Sequence, residues 1–228
     1  MASRLAIKIC GLTRSDAVDA ALEAGADMIG LMFFDKSPRH LEPARAVALA
    51  EPARGRAAIV AITVNMDDAG LRQIVDEVRP DLIQLHGGET PERAGAIADR
   101  FGVGVMKALG AGTAEDVARA RAYRGRVERI LFDAKPPEDA SRPGGLGQRF
   151  DWSLLDRLDL DVPFMLSGGL DAGNVAEAVH ETAAIGVDVS SGVEARPGIK
   201  DPDLIRAFVA AARNAEDARG QASLCGRG

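Results

Sequence analysis

The chain has 228 residues, carries a net charge of −6 and is 46% hydrophobic but only 4% aromatic. That composition fits one well-cored soluble domain and, with no basic stripe, disfavours a nucleic-acid binder. No apolar run approaches ~18 residues, which excludes a transmembrane helix, and two cysteines, Cys10 and Cys225, near opposite ends make no disulfide framework.

Met1-Ala2-Ser3-Arg4 runs straight into the first strand-like segment, without the apolar core of a signal peptide, so a reducing cytoplasm is the expected compartment. Strand-like runs are predicted at residues 5–10, 28–33, 58–64, 82–85, 103–108, 130–133, 164–166 and 185–189. Helix-like runs follow them at 15–23, 43–53, 69–78, 91–100, 114–123, 153–158, 172–181 and 202–212. Thr13 to Asp16 has capping-box spacing at the first helix. Pro43, Pro91 and Pro202 sit in first turns, where a missing N–H costs little, and Gly25 and Gly102 stop helices. Near-continuous apolar strands such as Asp27-Met28-Ile29-Gly30-Leu31-Met32 imply a parallel sheet covered on both faces.

Eight strand–helix units without G-x-G-x-x-G after the first strand favour a single closed (βα)8 barrel over an open doubly wound sheet. The barrel is predicted to span residues 1–214, followed by a polar, frayed tail at 215–228. The irregular stretch 134–150 is long enough to suggest a functional loop.

In a parallel barrel, chemistry gathers at the C-terminal ends of the strands. Strand one ends in Lys8-Ile9-Cys10-Gly11. Lys8 and Cys10 share a face, and a lysine does not suit the apolar helix layer, so that face should be the interior. Cys10 reads either as an inert buried thiol or as a base whose thiolate the adjacent ammonium enriches. Asp133, after Ile130-Leu131-Phe132 and before the long loop, reads as a second strand-end candidate or as a helix or turn cap. Arg39, in the loop after strand two, could hold a carboxylate bidentately or be a solvated arginine. His86 and Gln84 end strand four facing one way; a satisfied structural histidine is the alternative. Lys107 reads as lining the upper barrel or as a structural lysine. Three histidines and two cysteines show no metal-ligand spacing, so no metal is expected.

The most specific signal is a pair of turns, Ser167-Gly168-Gly169-Leu170 and Ser190-Ser191-Gly192-Val193-Glu194. Each follows an apolar strand and precedes helix-like sequence. On neighbouring strands, Gly168, Gly169, Ser190, Ser191 and Gly192 would make a phosphate cup from backbone N–H groups. The cup identifies a ligand class, not a reaction.

Together these segments resemble the phosphoribosylanthranilate isomerases. Lys8-Ile9-Cys10-Gly11-Leu12-Thr13 looks like their opening, and the loop from Phe33 to Arg39 is similar to their F-x-x-x-S-x-R-type segment. Gln84-Leu85-His86-Gly87, Leu131-Phe132-Asp133, Gly144-Gly145-Leu146-Gly147, the two serine–glycine turns with Asn174 and Asp188, and Pro197-Gly198-Ile199-Lys200-Asp201 follow in family order. The resemblance covers about residues 5–212. It implies an Amadori rearrangement in tryptophan biosynthesis, with Cys10 as general base, Asp133 as general acid and Arg39 on the anthranilate carboxylate. It also implies Lys8, Gln84, His86 and Asp188 as substrate-binding, and Gly145 and Gly147 as part of the phosphate site. Leu146 stands where the family usually has Thr or Ser, so a hydroxyl contact is missing there. The implied ligand is a small phosphoribosyl molecule, with no cofactor, membrane or nucleic-acid partner, in a monomer or homodimer. Two rival readings remain: a Schiff-base aldolase using Lys8 or Lys107, and a non-catalytic phosphosugar-binding barrel.

Overall fold

The computed structural model describes residues 4–135, 150–156 and 162–225. Eight parallel strands pair in sequence order: β1 (Ala6–Cys10), β2 (Met28–Phe33), β3 (Ala58–Thr63), β4 (Leu82–Leu85), β5 (Gly104–Ala111), β6 (Arg129–Ala134), β7 (Phe164–Leu166) and β8 (Gly186–Val189). β8 closes on β1 in a register that sets Lys8 beside Asp188. The ring is the expected (βα)8 barrel. The outer layer is α1 (Ser15–Ala24), α2 (Pro43–Ala50), α3 (Asp68–Val78), α4 (Pro91–Phe101), α5 (Ala114–Ala118), α6 (Ser153–Asp156), α7 (Val175–Glu181) and α8 (Pro202–Cys225). Among the described residues no helix is long and apolar enough to cross a membrane.

Strand alternation divides the core in two. Met28, Val60, Leu82, Met106, Ala108, Leu131 and Met165 fill the barrel interior. Their neighbours in sequence, among them Ile29, Ile59, Ile83, Val105, Ile130 and Leu166, pack outward against the helices. The lower interior is therefore filled with apolar side chains, while Cys10 and Asp133 stand at the C-terminal ends of their strands.

Helix starts follow the expected chemistry in most places. Pro91 opens α4 behind Thr90, whose hydroxyl accepts from Arg93 N–H, and a full capping box joins Thr113 and Asp116. Gly25 and Gly102 end their helices at φ 87° and 61°, a conformation glycine adopts without steric cost. The capping box expected at Thr13 is absent. Arg14 caps α1 without a side-chain bond, because the Thr13 hydroxyl instead donates to Gly198 O at 2.9 Å.

Two larger differences concern the end of the chain. The polypeptide does not pass directly from β8 to a helix. A 3₁₀ turn at Ser191–Val193 leads into an antiparallel hairpin, β9 (Glu194–Arg196) and β10 (Ile199–Lys200). The helix expected to end at residue 212 continues to Cys225, so 214 is not a boundary. Ile205, Phe208, Val209, Ala212 and Ala215 form one buried stripe. Beyond it Glu216 accepts from Leu5 N–H and Arg213, and Arg219 reaches Val179 O and Ala184 O.

Candidate active site

Cys10 and Asp133 stand at the C-terminal ends of β1 and β6, both facing the barrel mouth and both nearly buried. Gly30, paired with Cys10 across β1–β2, makes room for the thiol: a Cβ there would lie 3.2 Å from Sγ. Beneath Cys10, Lys8 donates to Asp188 at 2.8 Å, and Asp188 also accepts from Ser167 Oγ at 3.1 Å. Lys8 faces the interior, as the alternation argument requires. It is fully buried, however, and serves Asp188 rather than presenting its ammonium to a ligand. Unpairing either member of such a buried pair costs about 3–5 kcal/mol.

This pairing corrects the expected electrostatics of Cys10. Burial pushes the Cys10 thiol up and Asp188 adds to it; Lys8 and Lys200 pull the other way without prevailing. The free protein therefore holds a thiol, not an enriched thiolate. Lys8 itself is depressed by burial, but Asp188 and Cys10 more than offset that and raise it.

On the other side of the mouth, Asp133 Oδ1 accepts from Ala134 N–H at 2.9 Å. Its second oxygen, Oδ2, lies 3.4 Å from His86 Nε2. Gln84 Nε2 sits 2.9 Å from His86 Nδ1. With the amide donating to Nδ1, the ring N–H is on Nε2 and points at Asp133. Gln84 and His86 thus share a face, as expected, and form a relay that orients the carboxyl group.

The two serine–glycine turns meet. Gly168 and Gly169 have φ of 86° and 63°, and a Cβ on Gly168 would lie 2.5 Å from Ala134 N and 3.1 Å from Asp133 Oδ1. A Cβ on Gly192 would overlap Leu170 O. Glycine is required at both points by close approach, and the same contacts tie the cup to the strand carrying Asp133. Asn174 pins the first turn, donating to Gly169 O at 2.8 Å and accepting from Asp171 N–H. Among the described residues the N–H groups of Gly168 and Gly169 have no acceptor, which suits them to an anion. The Ser190 hydroxyl is engaged, donating to Cys10 O and accepting from Lys200, so only its backbone can serve the cup. Gly145 and Gly147 lie outside the described residues.

Arg39 departs from expectation most. It is buried, and its bidentate face is already taken: Nε and Nη2 meet Glu194 Oε1 and Oε2 at 2.7 and 2.8 Å. Lys200 donates to the same Glu194 at 2.9 Å and to Ser190 O at 2.9 Å. The chain of Arg39, Glu194, Lys200 and Ser190 ends at the Cys10 carbonyl.

Lys107 is the second correction. It lies between Met106 and Ala108, both interior, so it points outward. Its ammonium is consumed by Leu85 O, Gly87 O and Glu89 at 3.1, 2.7 and 3.0 Å. Burial lowers it, as a Schiff-base lysine needs, but it faces away from the mouth, and Lys8 is locked to Asp188. Neither lysine is placed for aldolase chemistry.

A model of the N-(5'phosphoribosyl)anthranilate (PRA) isomerase family matches residues 7–211. The chain belongs to that family. The N-(5'-phosphoribosyl)anthranilate isomerase of Rhodopseudomonas palustris (strain BisA53) is 57% identical over 212 residues, 93% of this chain and 97% of that protein. The crystal structure of phosphoribosyl anthranilate isomerase from Thermotoga maritima matches with a TM-score of 0.84 at 37% identity, over 92% of this chain and 99% of that one. A further phosphoribosyl anthranilate isomerase, solved in complex with reduced 1-(o-carboxyphenylamino)-1-deoxyribulose 5-phosphate, matches at TM-score 0.79 and 34% identity with the same coverage.

Sequence reasoning missed the contacts of Glu194, Lys200 and Ser167. The motifs containing them were visible, but pairing Glu194 with Lys200 depends on a hairpin between β8 and α8. Its only local signals are the Pro197-Gly198 turn and the positive φ of Gly198, 82°.

Proposed function

We propose that the chain catalyses the Amadori rearrangement of N-(5-phosphoribosyl)anthranilate to 1-(2-carboxyphenylamino)-1-deoxyribulose 5-phosphate, with Cys10 and Asp133 as base and acid. The observation that carries the assignment of roles is the placing of a thiol and a carboxyl group across the mouth of one barrel, beside a glycine-lined cup. Asp133 delivers a proton to the ribose ring oxygen as the C1–O bond breaks, and the anilino nitrogen lone pair forms the Schiff base. The thiolate form of Cys10 then takes the C2 proton and becomes the thiol. The C2–H electrons form the C1–C2 double bond while the C=N pair returns to nitrogen, giving an enolamine. Transfer of the enol proton to C1 yields the ketone. The cup holds the phosphate end and Arg39 the aromatic carboxylate, so remote binding energy orients the reacting carbons.

Every residue in this account comes from one chain, so monomer and homodimer are equally able to carry it. The test is a coupled assay that makes the unstable substrate from anthranilate and phosphoribosyl pyrophosphate, then follows loss of its fluorescence. No turnover by a folded protein would leave only a phosphosugar-binding barrel.

Arg39→Ala should raise KM by ~10–100-fold, the worth of a charge-assisted hydrogen bond. The effect should be much smaller for the aniline analogue lacking the carboxylate. Equal losses on both substrates would make Arg39 structural only.

Inorganic phosphate should compete with substrate and raise Tm by mass action. Gly169→Val places a branched side chain at φ 63°, where β-branched residues are strained, so some loss of Tm is expected. In the folded variant, phosphate inhibition and phosphate stabilisation should weaken together. Undiminished inhibition would put the anion elsewhere.

A further inference from the structure

Three charged side chains meet at the edge of the mouth, and all three are nearly buried: Arg39, Glu194 and Lys200. Their charges do not balance. Two cations face one carboxylate, whereas the neighbouring Lys8–Asp188 pair is neutral. An unbalanced buried cation is costly unless a ligand anion completes it. Glu194 occupies Arg39 Nε and Nη2, and among the described residues Nη1 has no acceptor. A Cβ on Gly11 would overlap Arg39 Cδ, so the stem of the arginine passes close over the backbone of the β1 turn. The hairpin that carries Glu194 and Lys200 is itself clamped, through Thr13 to Gly198 O and by Gly198 against Pro38 O.

We propose that Glu194, held in turn by Lys200, is a positioning residue for Arg39: it takes one edge of the guanidinium and thereby fixes the Nη1 side as the edge that meets the substrate's aromatic carboxylate. The inference rests on the reading of Arg39 given above and adds where its specificity comes from. A free arginine would accept any nearby anion in several orientations. One fixed along Nε and Nη2 offers a single direction, and a planar aromatic acid anchored at its phosphate end can meet it in only one pose.

Electrostatics agree with the geometry. Burial would raise Glu194, but Arg39 and Lys200 more than offset it and hold it low. Burial lowers Lys200 to about 8, opposed by Glu194. The groups facing Lys200 are Glu194 from β9, Arg39 from the loop after β2, Cys10 from β1 and the Ser190 hydroxyl. A bound carboxylate adds negative charge and raises Lys200 further, so ligand and proton favour each other. Binding should be tight below pH about 8 and weaken as pH rises past it.

The experiment compares the full-length parent with Arg39→Ala, Glu194→Gln and Lys200→Met, on phosphoribosylanthranilate and on its aniline analogue. Glu194→Gln should raise KM for the carboxylate substrate by ~10–100-fold, the scale of one charge-assisted hydrogen bond, with a much smaller change in kcat. KM for the aniline analogue should barely move. Parent KM for the carboxylate substrate should climb as pH rises past about 8, and Lys200→Met should flatten that rise. Should Glu194→Gln fail to fold by thermal melting, the parent and Lys200→Met pH profiles still decide. A folded Glu194→Gln that weakens both substrates alike overturns the proposal, as does a parent KM that stays flat with pH. If Arg39→Ala is carboxylate-selective and Glu194→Gln is not, only the positioning role falls. If neither is selective, the reading of Arg39 falls with it.

Discussion

Cys10→Ser should lower kcat by ~10²–10⁴-fold, the range of a general acid–base contribution, while Tm changes little. The two side chains are close in volume, and the position makes no disulfide. A serine hydroxyl is far less able than a thiol to yield an anion near neutrality. The structure also sets the pH behaviour. Because burial and Asp188 raise the Cys10 thiol above the ordinary range, only a small fraction is thiolate at neutral pH. Parent kcat should therefore keep climbing through the alkaline range, rather than reaching a plateau near neutrality as a thiol with a depressed value would. The serine variant should lose that climb along with the rate. The proposed pH effect at Lys200 is read from KM and the Cys10 effect from kcat, although the two groups act on each other. A serine variant with kcat close to the parent's would remove Cys10 from the mechanism, and a parent plateau near neutrality would show that substrate binding reverses the electrostatics of the free site.

The barrel was legible because each of its elements obeys a local rule. Apolar runs of strand length alternate with helical stripes, and proline and glycine mark helix ends with the chemistry those ends require, whereas the capping box read at Thr13 does not form. Cys10 and Asp133 could be placed at the mouth because they close strand-like runs, and the C-terminal ends of the strands line the mouth of a parallel barrel. The orientation of Lys8 followed from a two-residue period and the cost of putting an ammonium among helices. Lys107 shows where that reasoning fails: a strand can face a lysine outward if loop carbonyls and Glu89 receive it, and no local pattern announces those partners. Cys10 shows the same limit in its electrostatics. Lys8 is next to it in the sequence pattern, but Asp188, far away along the chain, decides what Lys8 does. The engaged face of Arg39 was hidden for a related reason, since Glu194 reaches it only through a hairpin inserted where a direct strand-to-helix turn was expected. The continuation of α8 past residue 214 was in principle readable, because Ala212 and Ala215 extend the stripe of Ile205, Phe208 and Val209. Small alanines among charges disguised it.

Asp133→Asn should abolish turnover to a similar degree, ~10²–10⁴-fold in kcat, and leave binding of a reduced product analogue nearly unchanged. The amide keeps the oxygen that accepts from Ala134 N–H, so the end of β6 and its contact with the Gly168 turn stay in place. What it loses is the proton. Ring opening requires the ribose oxygen to leave as a neutral hydroxyl, and an amide cannot supply that proton. The partner geometry gives a second readout. His86 Nε2 lies 3.4 Å from Asp133 Oδ2 and is oriented through Nδ1 by Gln84. His86→Gln should therefore lower kcat less than Asp133→Asn, since it disturbs the aim of the acid without removing it. Combined with Asp133→Asn it should cost almost nothing more, because two residues acting as one unit are not additive. Additive losses would separate His86 from the acid and assign it a contact of its own with substrate. Loss of analogue binding in Asp133→Asn, with turnover persisting at saturation, would make Asp133 a binding residue and leave the ring-opening proton to another group.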